Sequence, residues 1–191
     1  MGLRLARLED CADLLAIYEQ YIQTPITFEY ELPSREEFTQ RITSISAEYP
    51  YLVWEEGEKI LGYAYAHRLA ERAAYQWSAE LSIYVDRSAV GKGLGRKLYG
   101  ALVELLKLQG VRTAYALVCT PNPASEGLHR SVGFRTLAVH PNTGYKNGAW
   151  RDLTWFEKAI GDYNQTPKPM ISITQIPAEN IMQILFSFSK E

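Results

Sequence analysis

Residues 88–107 read SAVGKGLGRKLYGALVELLK, with glycines at alternate positions, Gly91, Gly93 and Gly95, leading straight into a leucine stripe. Leu98, Ala101, Leu102, Leu105 and Leu106 repeat at helical spacing and stop before Gly110. Glycine lets backbone N–H groups approach a ligand closely. The first turn of a helix leaves about four such donors unpaired at the positive end of its dipole. With Lys92, Arg96 and Lys97 on or beside the loop, the segment predicts a local site for a phosphate-bearing ligand. Two nucleotide motifs fail on spacing. A G-x-G-x-x-G fingerprint would need glycine where Leu98 or Arg96 stands, and a Walker loop would need Ser or Thr where Gly93 follows Lys92. A plain tight turn into a helix is the remaining alternative, and the flanking cations weigh against it.

The rest of the chain bounds what such a site can serve. Its 191 residues suffice for one sizeable α/β core. A formal net charge of -2 provides no general field to draw in nucleic acid or an anionic membrane. Arg4, Arg7, Glu9 and Asp10 interrupt the first apolar residues, and Ala6 stands where a myristoylation pattern needs Ser or Thr. No apolar run is long enough to span a bilayer, so a cytoplasmic protein is expected. Cys11 and Cys119 lack ligand spacing and read as small buried hydrophobes. His67, His129 and His140 are scattered, so no metal site is expected.

A helix is predicted over LEDCADLLAIYEQYI, with Leu14, Tyr18, Tyr21 and Ile22 on one face. Ser34 and Glu37 form a capping box for a second, carrying Phe38, Ile42 and Ile45. A hairpin about Glu56 and Gly57 and the alternating run YQWSAELSIYV predict three antiparallel strands before the glycine loop. After the leucine helix come a strand, TAYALVC, and a short helix with Asn122 as N-cap, Pro123 in its first position and Gly133 beyond its end. Two last strands are expected around an exposed loop, PNTGYKNGAW. Residues 1–161 read as one domain. Residues 162–191 read as an extension ending in a helix, with Ile181, Ile184, Leu185 and Phe188 available to dock on the core or on a partner subunit.

Val90 to Gly95 resembles the Arg/Gln-x-x-Gly-x-Gly/Ala signature of the GCN5-related N-acetyltransferase (GNAT) superfamily, with Val90 at the usual Arg or Gln position. AYQWSAELSIYV, PNPASEGLHRSVGF and TGYKNGAWRDLTWF are similar to successive blocks of its phosphinothricin acetyltransferase branch, so the likeness runs over residues 2–160. The resemblance implies an α+β fold of the three-layer α/β type, with helices on both faces of a mixed central sheet that splays around acetyl-CoA. Ile83, Tyr84 and Val85 would then face the pantetheine arm. Val90, Gly91, Lys92, Gly93, Leu94, Gly95 and Arg96 would cradle the pyrophosphate, with Asn122 and Ser125 on the far side.

Acetyl transfer from a thioester to an amine needs a base for the ammonium and an acid for the departing thiolate. By resemblance these are Glu80, on a strand whose neighbours face the other way, and His129, four residues before Gly133 where many family members carry tyrosine. The branch acetylates the α-amine of small amino-acid analogues. Arg72 is the candidate clamp for their anionic groups, Phe28, Tyr75 and Trp77 the candidate walls, and Lys146 a contribution from the exposed loop. Asn147 and Arg151 stand where related enzymes often have histidines. The expected partner is a small-molecule amine, and the family implies a homodimer. The alternatives are an acetyltransferase for another small amine or a protein N-terminus, and an acyl-CoA-binding module without turnover.

Overall fold

The computed structural model describes residues 2–190. Seven strands form one sheet. They are β1 (Gly2–Leu5), β2 (Tyr51–Glu56), β3 (Lys59–Arg68), β4 (Ser78–Val85), β5 (Thr113–Thr120), β6 (Arg135–Lys146) and β7 (Ala149–Ala159), in the order β1-β2-β3-β4-β5-β7-β6. Every neighbouring pair is antiparallel except β4 with β5. Five helices cover the sheet: α1 (Cys11–Ile22), α2 (Arg35–Glu48), α3 (Leu94–Gln109), α4 (Pro123–Ser131) and α5 (Ala178–Lys190). This is the mixed, doubly covered sheet that the family resemblance implied. No helix among the described residues is long and apolar enough to cross a membrane.

Side-chain alternation along β3 and β4 builds two cores. On one face Leu61, Ala64, Ala79 and Leu81 meet the α3 stripe, whose Leu98, Leu102, Leu105 and Leu106 are fully buried. Each such leucine contributes roughly 1.5–3 kcal/mol of burial. On the other face Leu14, Ile17, Phe38 and Ile42 of α1 and α2 cover Tyr51, Val53 and Tyr63. The capping box of α2 is formed by Ser34 and Glu37 as expected, and Cys11 and Cys119 are free and buried.

Three local readings change. Gly2–Leu5 is a strand, held against β2 by the pairs Leu3↔Trp54 and Leu5↔Leu52, because a long-range partner compensates for its short, charged sequence. The β2–β3 turn falls on residues 57–58, one residue later than read, with Gly57 at φ +65°. PNTGYKNGAW is not an open loop: β6 bulges between His140 and Gly144, with the Asn142 N–H donating to Asp152 Oδ1 at 2.9 Å, and then resumes pairing to Lys146. Only Asn147 and Gly148, at φ +52° and +74°, make the turn.

The segment after residue 161 folds back over the same sheet. The Trp77 indole N–H donates to the Lys168 carbonyl at 2.8 Å. Gln109, 1% exposed, donates to the carbonyls of Glu48 and Ile171 at 2.7 and 2.9 Å. Helix α5 lays Ile181, Leu185 and Phe188 against the α3 core, and Ser189 Oγ accepts the Leu3 N–H at 2.8 Å. Replacing Gln109 with Leu leaves two carbonyls without their donor, at about 1–3 kcal/mol each where water cannot enter. Gln109→Leu is therefore expected to lower the urea unfolding free energy by about 2 kcal/mol or more and to speed chymotrypsin cleavage after the exposed Tyr163 of the tail.

Candidate active site at the fork between β4 and β5

The parallel ladder between β4 and β5 has three rungs, Ser78↔Thr113, Ala79↔Ala114 and Glu80↔Tyr115, after which the strands part. The opening is a cleft of about 460 Å³, within the range of small-ligand sites. Ile83, Tyr84 and Val85 form one wall and Asn122 and Ser125 the other, while Val90, Gly91, Gly93, Leu94, Gly95 and Arg96 surround the mouth. Of the expected cofactor contacts, Lys92 alone does not line the cleft; it is exposed. Asn122 is the N-cap of α4, accepting the Ser125 N–H at 3.2 Å, and it lines the cleft as well, so both readings of that residue coexist.

The glycine loop is shaped for an anion. Gly91 and Gly93 sit at φ +83° and +82°, a region that costs other residues about 1–2 kcal/mol. The N–H groups of Gly91, Gly93, Leu94 and Gly95 find no protein acceptor among the described residues. Gly95 serves a different need, since a Cβ there would lie 2.8 Å from Leu128 Cδ2. These unpaired amides, the exposed Lys92 and the nearby Arg96 fit the pyrophosphate of coenzyme A, and the apolar trough along β4 fits its pantetheine arm.

Asp86 anchors the loop and escaped the sequence reading. Its carboxylate accepts from the Ser88 N–H at 2.9 Å and the Ser88 hydroxyl at 2.5 Å, and from Gln20 Nε2 at 3.3 Å. The Asp-x-Ser spacing of an Asx turn was the available signal. The Ser88 hydroxyl bond is the largest influence pulling its carboxyl down to about 2.

At the inner end a recess of about 60 Å³ is bounded by Leu81, Ser82, Tyr99, Cys119 and His129. His129, 2% exposed, stacks on Phe156 with centroids 5.2 Å apart. Its Nδ1 lies 2.7 Å from the Ser125 carbonyl, which can only accept, so Nδ1 carries the hydrogen and Nε2 accepts from the Tyr99 hydroxyl at 3.1 Å. Burial lowers the imidazole pKa, so the ring is neutral near pH 7. The expected acid is therefore a hydroxyl–imidazole pair rather than a free imidazole. Tyr99 was passed over because it sits one residue off the leucine stripe.

Glu80 sits on the last paired rung before the fork, on the opposite face of the sheet from α3. Its carboxylate is 22% exposed and receives no hydrogen bond among the described residues, and burial holds its pKa above the usual range. On the same face Tyr51, Tyr63 and Tyr65 stack at 4.8 to 6.3 Å, and Tyr84 meets Tyr18 edge-on at 4.9 Å. The tyrosines at 63 and 65, two apart in GYAYAH, already placed one aromatic face on β3.

The expected acceptor-side residues divide. Arg72 and Tyr75 are exposed at the 3-10 turn ahead of β4, and Phe28 packs its ring on Gly144. Trp77 is committed to the tail through Lys168. Lys146 does not reach out from an exposed loop: it is 2% exposed, and its ammonium donates to the Thr27 carbonyl at 2.7 Å and to the Glu29 carbonyl. The continuation of β6 past its bulge turns this side chain inward, where it braces the loop carrying Phe28. None of these five residues lines the cofactor cleft.

Two outcomes follow from this geometry. Gly95→Val closes the mouth against Leu128 at a cost of about 1–3 kcal/mol, read by calorimetry as a roughly tenfold or greater rise in the Kd for coenzyme A. Because the Asp86 pKa is depressed to about 2 from 3.8, its stabilising contribution is present above the unfolded value and fades as pH falls toward 2. The unfolding free energies of wild type and Asp86→Asn should differ by a constant amount above about pH 4 and converge below it.

Comparison with known proteins agrees with the cleft. Residues 3–155 match the acetyltransferase (GNAT) domain family. A phosphinothricin N-acetyltransferase of Streptomyces coelicolor is 34% identical over 157 residues, covering 80% of this chain and 92% of the relative. An L-methionine sulfoximine/L-methionine sulfone acetyltransferase of Pseudomonas aeruginosa is 31% identical over 175 residues, covering 87% and 98%. The crystal structure of a phosphinothricin acetyltransferase from Sinorhizobium meliloti in complex with acetyl-CoA superposes with a TM-score of 0.84 at 33% identity, covering 88% of this chain and 94% of that one. The amide-rich loop and forked sheet thus belong to a known architecture: the chain is a member of the GNAT family and an acetyl-CoA-dependent N-acetyltransferase.

Proposed function

We propose that this enzyme acetylates the α-amine of small amino-acid-like substrates of the phosphinothricin and methionine sulfoximine or sulfone type, by direct attack of the amine on the thioester. The observation that carries the reading is the Glu80 carboxylate, which accepts no hydrogen bond among the described residues, beside the fork whose mouth offers free amides to a pyrophosphate. The names of the relatives support the substrate class.

Acetyl-CoA supplies the activated acetyl group. Glu80 accepts a proton from the substrate ammonium and frees the nitrogen lone pair, a task helped by a pKa raised toward neutrality. His129 and the Tyr99 hydroxyl hold a proton at the inner end of the cleft, where the departing thiolate needs one. The exposed Arg72 guanidinium pairs with the carboxylate or tetrahedral oxyanion of the substrate through two hydrogen bonds, and Phe28 and Tyr75 border the acceptor. Lys146 acts by fixing the loop that carries Phe28. Free buried cysteines are consistent with a cytoplasmic setting. Leu137, Val139 and Trp150, exposed on the β6–β7 hairpin, support a homodimer formed through that edge.

Thiol release from acetyl-CoA, measured against methionine sulfone, methionine sulfoximine, phosphinothricin, common amino acids and polyamines, should be fastest with the sulfone, sulfoximine and phosphinothricin. Glu80→Gln should lower kcat by about 10²–10⁴-fold. Arg72→Ala should raise KM for the amino-acid analogues and leave polyamine rates unchanged. Silence across the panel by a protein that binds coenzyme A tightly would sink the reading in favour of a binding module.

A further inference from the structure

His67 has no place in the family pattern, yet β3 and β4 set it directly opposite Glu80, with the two side chains on the same face of the sheet. Its Nε2 lies 3.7 Å from Glu80 Oε1. Its Nδ1 lies 3.0 Å from the Arg68 carbonyl. Because a carbonyl only accepts, Nδ1 carries the hydrogen of the neutral ring, and Nε2 turns its lone pair toward the carboxylate. Two lone pairs face each other across a short gap, an arrangement that favours one shared proton.

The other charged and titratable neighbours leave this pair to itself. Tyr65 stacks beside His67 at 6.1 Å on β3, and Tyr115 is the β5 register partner of Glu80. Tyr99 on α3 interacts with the Glu80 charge through the sheet. Arg68 is paired with Glu48 of α2 and with Glu71, and Arg41 of α2 is paired with Glu29. His67 is the one basic side chain within 4 Å of the Glu80 carboxylate among the described residues. It is also the more open of the two, 36% exposed against 22%.

We propose that His67 relays to solvent the proton that Glu80 takes from the substrate ammonium, so that the two side chains work as one proton-sharing pair. This rests on Glu80 being the base. The ammonium N–H bond breaks and a Glu80 O–H bond forms. That O–H then breaks as an Nε2–H bond forms on His67, restoring the carboxylate. The Nε2–H bond then breaks as its proton passes to water or buffer, which returns the ring to its neutral form with the hydrogen on Nδ1. Protons and charge balance at each step, and no further reactant is needed. A side-chain adjustment of less than about 1 Å closes the 3.7 Å gap to hydrogen-bond distance.

The test compares wild type, His67→Gln, His67→Ala and Glu80→Gln at saturating acetyl-CoA, with the unfolding midpoint of each variant measured alongside. The expected result for His67→Gln is a kcat about tenfold lower, with KM for acetyl-CoA and the unfolding midpoint unchanged. The acid limb of its kcat profile should also move by about one pH unit, because that limb belongs to the pair. Added imidazole should restore much of the lost rate in His67→Ala. A kcat and pH profile of His67→Gln that superpose on wild type would overturn the relay, as would a loss that imidazole does not rescue. Full activity in Glu80→Gln would instead remove the base assignment. Loss in Glu80→Gln with wild-type behaviour in His67→Gln removes the relay alone.

Discussion

Beyond its third rung, the β4–β5 ladder stops, and every function of the molecule uses the consequence. A strand edge released from its neighbour exposes N–H and C=O groups that must find other partners. Here β4 remains paired with β3 and β5 with β7, so the sheet stays intact on both sides while its middle opens. The opening is walled by the first turns of two helices. Helix α3 presents unpaired amides at the mouth, and α4 closes the far side through Asn122 and Ser125. A ligand made of peptide-like units and a pyrophosphate can meet both needs at once, replacing a missing strand and neutralising a helix N-terminus.

The fork also divides the chemistry between the two faces of the sheet. On the α3 and α4 face, His129 and Tyr99 form a buried neutral pair among Phe134 and Phe156. On the α1 and α2 face, Glu80 stands across from His67 beside a cluster of tyrosines, its carboxylate accepting no hydrogen bond among the described residues. The proposed base and the proposed acid thus stand on opposite sides of the sheet, where they cannot neutralise each other. Braces remote from the chemistry hold the parts in register. Lys146 ties the β6–β7 hairpin to the loop carrying Phe28, and Gln109 and Trp77 strap the tail to α3 and β4.

Much of this could be read along the chain where the physics is local. The glycines ahead of the leucine stripe, the Ser34–Glu37 box and the Asn122–Pro123 start each depend on residues a few positions apart. Glu80 was legible as a polar residue between two inward-facing ones. The misses share a different origin. Gly2–Leu5 is a strand only because β2 offers it a partner, and PNTGYKNGAW continues a strand because Asp152, ten residues on, satisfies the bulge at Asn142. Lys146 read as exposed because nothing near it in sequence shows that the carbonyls of Thr27 and Glu29 cap its ammonium.

The sequence alone determined that a glycine-rich turn with amides suited to a phosphate opens an amphipathic helix directly after a run of antiparallel strands, because backbone conformation and helix polarity are written within a single turn of chain. Only the tertiary structure decided where the sheet parts, which hydroxyl faces His129, and that His67 stands across from Glu80. Those facts depend on strand register and on contacts between residues far apart in the chain, and register emerges only when the two faces of the sheet are packed together.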